Sequence, residues 1–171
     1  MSTTYSLAAF NSMSVDEFTA ALGAIYEHSP WVAQRAAAQR PFSDIGVLRD
    51  TMAGVVRSAT DSERLKLIQA HPELAGKAAV RGELTEESTR EQKGAGLDLC
   101  SPDEYQRLQT LNRQYNEKFG FPFVIAVKGH DRHSILEHFA ARLGKEREAE
   151  MRECIAQIIM IGGFRLAAMV A

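Results

Sequence analysis

The segment His71-Pro72-Glu73-Leu74-Ala75-Gly76, followed by Ser88, Glu91 and Gln92, concentrates the residue types that can do chemistry in this 171-residue chain. Histidine is the side chain whose ordinary pKa lies nearest neutrality, so a single imidazole can both give and take a proton. Pro72 cannot continue a regular helix and pushes His71 out of right-handed helical geometry, which sets the ring on a fixed corner. A helix ending there turns its partial negative charge toward the ring and favours the protonated form. A histidine that only caps a helix has the same local sequence. Ser88, Glu91 and Gln92 stand at i, i+3 and i+4, a spacing that places a hydroxyl, a carboxylate and an amide on one helical face. That set suits a small polar heterocycle; in isolation it also fits a solvated helix face.

Further along, Cys154, Ile158, Ile161, Arg165 and Ala168 follow a 4-3-4-3 spacing that puts Arg165 on an apolar stripe. An arginine facing a core is costly without an anion or good hydrogen bonds. Glu91, another carboxylate or an anionic substrate could each supply the partner, and a snorkelling side chain is the other possibility. Gly162 and Gly163 precede it, each costing roughly 1 kcal/mol relative to alanine in a helix interior. They point either to close backbone approach or to fraying near the terminus. Phe121 to Val127 is the segment richest in extended-chain formers. Without a partner strand its amides and carbonyls must be satisfied outside a sheet, with a ligand among the candidates. The remaining histidines, His28, His130, His133 and His138, show no metal-ligating pattern and read as surface or capping residues. Cys100 and Cys154 lack CxxC spacing, and Gly94-Ala95-Gly96 lacks the lysine of a phosphate loop.

These residues have to be positioned by helices. Ser14 and Glu17 form a capping box ahead of Phe18, Leu22 and Ile25. A second helix follows Pro30, a third carries Val47 to Val55, and Thr60 or Asp61 caps a fourth that runs into His71. Thr85 opens a short polar helix bearing Ser88. Ser101-Pro102-Asp103-Glu104 caps a helix to Phe119, and Gly120 stops it. Asp131 or Ser134 begins the next, Gly144 ends it, and a last long helix starts near Lys145. The expected fold is all-α, a single-domain compact bundle of seven or eight helices with one extended connector. The net charge of −2 gives no footprint for nucleic acid. No signal peptide or membrane-spanning run is evident, so a soluble cytoplasmic protein is expected.

Taken together, the motifs resemble the family of 2-oxo-4-hydroxy-4-carboxy-5-ureidoimidazoline (OHCU) decarboxylases. Phe10-Asn11, Glu27-His28-Ser29-Pro30-Trp31-Val32, Arg40-Pro41-Phe42, His71 to Gly76, Ser88 to Gln92, Phe119 to Val127 and Arg165-Leu166 carry the likeness over nearly the whole length. The resemblance implies a cofactor-free, metal-free helical enzyme, often a homodimer, that converts OHCU to (S)-allantoin at the last step from urate. It implies catalytic roles for His71, its paired Glu91, and Arg165. Substrate contacts fall on Pro72, Ser88, Gln92 and the backbone of Phe123, Val124, Ile125, Ala126 and Val127. Gly162-Gly163-Phe164 stands where the family carries bulkier residues. Two other readings use the same residues: a lyase or hydrolase for a related ureide or hydantoin, and a catalytically silent helical binding module. The joint presence of His71, Glu91 and Arg165 speaks against silence.

Overall fold

The computed structural model describes residues 3–171 and groups the chain into two compact units. One runs up to Ala70 and is joined by Ile158–Ala171; the other is His71–Gln157. The first holds α1 (Leu7–Ser12), α2 (Val15–Leu22), α3 (Trp31–Ala37), α4 (Ile45–Ser58), α5 (Asp61–Ala70) and the C-terminal end of α10 (Arg147–Ala168). Orphan amides at the helix starts are satisfied as the sequence predicts. Ser14 and Glu17 cap α2 reciprocally at 2.8 and 3.1 Å, and Thr60 and Glu63 do so for α5 at 3.1 Å each. α2 packs on α3 and α3 on α4, burying Phe18, Leu22, Val32, Leu48 and Met52. Ile25 reaches the core from the turn after α2 rather than from the helix. Asn11 and Phe42 exchange two hydrogen bonds of 2.9 and 2.8 Å, and Arg40 donates to the carbonyls of Phe10, Met13 and Ala37. Two of the quoted motifs therefore meet in space.

The second unit holds α6 (Lys77–Val80), α7 (Glu86–Gly94), a 3-10 turn at Leu97–Leu99, α8 (Pro102–Phe119), α9 (Arg132–Leu143) and the start of α10. Ser101 and Glu104 form the capping box of α8 with Pro102 in its first turn, and Gly120 closes it at φ +80°, a conformation that favours glycine. Asp131 caps α9 by accepting from Ser134 at 2.9 Å. α8 packs on α9 around an aromatic core in which Phe123 stacks on Phe139 at 3.9 Å and the Tyr115 ring meets both edge-on. The all-α reading holds. The two short helices α1 and α6 add to the seven or eight that the sequence pattern marks, and no described helix is long and apolar enough to cross a membrane. The predicted apolar stripe of α10 is buried through Cys154, Ile158, Ile161 and Arg165, but Ala168 is exposed, so the stripe ends one turn earlier than its spacing suggests.

Gly162 has a packing reason. A Cβ there would stand 2.8 Å from Cζ of Tyr26, a ring that is itself buried. At Gly163 the nearest foreign atom would be Cδ of Arg49 at 3.5 Å, an ordinary contact. Gly162→Ala should therefore lose about 1–3 kcal/mol in denaturant unfolding. Gly163→Ala should be neutral or gain through helix propensity. Burial also pushes the Tyr26 phenol up to about 12. A folded-state pKa above the ordinary value of 10.0 means that this contribution to stability is fully present below pH 10 and disappears as pH rises toward 12. In alkaline titration a phenolate absorbance step near pH 12 should be lost in Tyr26→Phe.

Candidate active site

His71 is the first residue beyond α5, which ends at Ala70, so the helix C-terminus and Pro72 together fix its backbone. It is the buried histidine among the described residues, 7% exposed. His28 and His133 have side chains 68% and 69% exposed, as expected for surface positions. After Pro72 the chain makes a buried, irregular loop in which Ala75 adopts φ +48°. Thr85 caps α7, where Ser88 and Gln92 are buried and Glu91 is half-buried, so the predicted polar face turns inward. The Gln92 side chain lies against the loop after His71. Its Oε1 accepts from the Ala75 amide at 2.9 Å, and its Nε2 donates to the Glu73 carbonyl at 3.4 Å.

Residues 121–127 form neither helix nor strand, and Phe121 to Ala126 are buried. At Val124 and Ala126 their backbone is satisfied by side chains of α9 and α10. The Val124 carbonyl accepts from Nη1 of Arg142 at 2.7 Å, the Val124 amide donates to Sγ of Cys154, and the Ala126 amide donates to Oε1 of Gln157 at 2.9 Å. Arg142 pairs with Glu150 at 2.8 Å, and Glu150 accepts from the Tyr115 hydroxyl at 2.6 Å. Burial pushes the Cys154 thiol up, and burial with the neighbouring Cys154 and Glu150 does the same to the Tyr115 phenol. Both stay protonated and act through hydrogen bonds.

In the other unit, Arg165 is buried and donates to Oε2 of Glu27 at 2.8 Å and to the Ala24 carbonyl at 3.3 Å. Glu27 is 2% exposed and is delivered by the irregular turn before α3, where His28 takes φ +47°. The partner that the stripe position demands is therefore Glu27. Among the described residues no group of three or more His, Cys, Asp and Glu is placed to hold a metal ion.

The sequence profile described as OHCU decarboxylase matches residues 11–167. The chain belongs to the OHCU decarboxylase family. It is 41% identical over 157 residues to the OHCU decarboxylase of Haloferax volcanii, covering 92% of this chain and 91% of the relative. It shares 41% identity over 157 residues with the uric acid degradation bifunctional protein of Bacillus subtilis, covering 92% of this chain but 31% of that protein. Among solved structures, a crystal structure of (S)-allantoin synthase superposes with a TM-score of 0.79 at 25% identity, covering 97% of this chain and 54% of that one. The chain thus spans about a third of the bifunctional relative and nearly all of the stand-alone one.

The sequence reading missed Gln109, Asn112, Arg142, Glu150 and Gln157. The available signal was polar residues among the apolar positions of α8, α9 and α10, notably Asn112 beside Leu108, Leu111 and Tyr115. For Arg165 the ion pair makes a sharp forecast. Glu27→Leu leaves a buried guanidinium without its carboxylate and should cost about 3–5 kcal/mol in urea unfolding. Glu27→Gln, which keeps an acceptor, should cost clearly less. Equal losses would show that charge is not what holds Arg165.

Proposed function

We infer that this protein removes carbon dioxide from OHCU to give (S)-allantoin in urate breakdown. The observation that carries this is the 41% identity with the Haloferax volcanii decarboxylase over 91% of that enzyme. The family match runs through both units, which supports reading residues 1–171 as one OHCU decarboxylase-like domain. A cytoplasmic homodimer acting on a small molecule is the assembly we favour, on the family resemblance.

The chemistry is within reach of these side chains. Loss of carbon dioxide from a carbon beside an imine needs no electron sink beyond the C=N bond, so no metal or organic cofactor enters our scheme. The protein has to orient the carboxylate, support the charge that develops and deliver a proton to one face of the ring. We assign the proton to His71, whose buried corner holds the imidazole in one place. Glu91 sets the tautomer and charge of the ring, and Pro72 forms part of the pocket wall. Ser88 and Arg165 hold polar groups of the substrate. Gln92 contributes through Nε2, whose two hydrogens exceed the single bond to Glu73, while its Oε1 belongs to the loop. In the connector from Phe123 to Val127, the amides of Val124 and Ala126 already have protein partners. Successive peptides of an extended run face opposite sides, so the amides of Phe123, Ile125 and Val127 are the ones we assign to substrate.

The test uses OHCU made in place from urate by the two preceding enzymes, with the optical activity of the allantoin followed over time. Rapid formation of a single enantiomer is expected; slow, racemic product at the background rate would contradict the reading. His71→Asn should lower kcat by about 10²–10⁴-fold, the usual contribution of a positioned acid–base group. Its far-ultraviolet circular dichroism should match that of the parent.

A further inference from the structure

Ala75 lies four residues beyond His71 at φ +48°, a region disfavoured for any residue that carries a Cβ. Such a conformation persists where the surroundings over-determine it, and here both polar groups of the residue are held. Its amide donates to Oε1 of Gln92 at 2.9 Å, and its carbonyl accepts from Nε2 of Gln109 at 2.7 Å. One residue earlier, the Leu74 carbonyl accepts from Nδ2 of Asn112 at 3.0 Å. Asn116 reaches the Glu73 carboxylate at 3.4 Å. Gln109, Asn112 and Asn116 stand at i, i+3 and i+7 of α8, so one face of that helix presents a row of amides to the loop.

Asn112 carries the argument furthest. It is 4% exposed, lies among the buried Leu108, Leu111 and Tyr115, and its Oδ1 is buried without a hydrogen-bond partner among the described residues. A leucine there would extend the apolar stripe and remove the orphaned oxygen. The asparagine is explained by the bond its other end makes to the loop. Between that loop and His71 stands only Pro72, whose ring fixes φ and passes the constraint on.

We propose that Gln109 and Asn112, together with the carbonyl of Gln92, clamp the strained loop 73–76 and thereby set the position of His71. Gln109 and Asn112 are positioning residues of the decarboxylation. The proposal rests on the reading of His71 as the proton-transfer group. The clamp adds a constraint from the C-terminal side to those that the end of α5 and Pro72 place on the backbone of His71.

The experiment is a cycle of Gln109→Met, Ala75→Gly and the double variant, assayed with OHCU made in place, beside Asn112→Leu and His71→Asn. Gln109→Met should lower kcat roughly ten- to a hundredfold, as a misplaced catalytic group does, with KM changed less. Ala75→Gly alone should change kcat less than about twofold, because glycine accepts the same φ at no steric cost. In the Gln109→Met background the same glycine should recover roughly fivefold, since the left-handed conformation then no longer has to be forced. Asn112→Leu should lose kcat while its unfolding midpoint stays equal or rises. A clamp that serves only stability gives the opposite pattern: parental kcat in Gln109→Met and Asn112→Leu, or no recovery by glycine. Either result overturns the proposal. Parental activity in His71→Asn would overturn the underlying assignment of His71 itself, whatever the clamp variants do.

Discussion

A buried peptide group has to be hydrogen-bonded, and a helix satisfies only its own. In the second unit two segments are largely buried without being helical, 71–76 and 121–127, and among the described residues no strand pairs with them. Side chains take over that task. Gln92, Gln109 and Asn112 bind the first segment, while Arg142, Cys154 and Gln157 bind the second. The polar residues buried in the helices of this unit follow largely from this single requirement. It also leaves His71 followed directly by irregular backbone that side chains hold. A helix could not offer its amides and carbonyls in this way, because it has already spent them on itself.

The buried charges obey related logic. A buried ion pair contributes little net stability compared with well-packed apolar residues of the same volume, so its presence points to some other task. For Arg142 and Glu150 that task is visible. The guanidinium needs Glu150 in order to lie buried over the Phe123 ring at 4.3 Å, and from there it donates to the Val124 carbonyl. The pair of Glu27 with Arg165 has the same form in the other unit. The carboxylate makes a buried guanidinium tolerable and fixes its direction. Gly162 contributes by letting the Tyr26 ring lie against the backbone of α10 one residue before the turn that carries Glu27.

Most helices were legible in the sequence because their signals are local. Capping boxes at Ser14 and Ser101, the glycine stop at Gly120 and the break at Pro72 all act within a few residues. The corner at His71 was legible for the same reason. The partners of the polar groups were not, since Ala75 with Gln109 and Arg165 with Glu27 are separated by 34 and 138 positions, and no periodicity links them. Position on an apolar stripe announced that Arg165 needs an anion without saying which one. The stripe of α8 likewise held Asn112 in plain view, but only the loop packed against it explains an amide there. Helix α1 escaped because six residues carry too little periodicity to separate it from a turn.

The central claim is that side chains, rather than secondary structure, hold the backbone of the two irregular segments. Native-state hydrogen exchange at the amides of Ala75 and Ala126 tests it most directly, since each donates to a glutamine Oε1 at 2.9 Å. Both amides should be protected to an extent comparable with the interior amides of α8, and Gln92→Met and Gln157→Met should each abolish protection at its own site. Exchange at the rate of exposed loop amides in the parent protein would contradict the account.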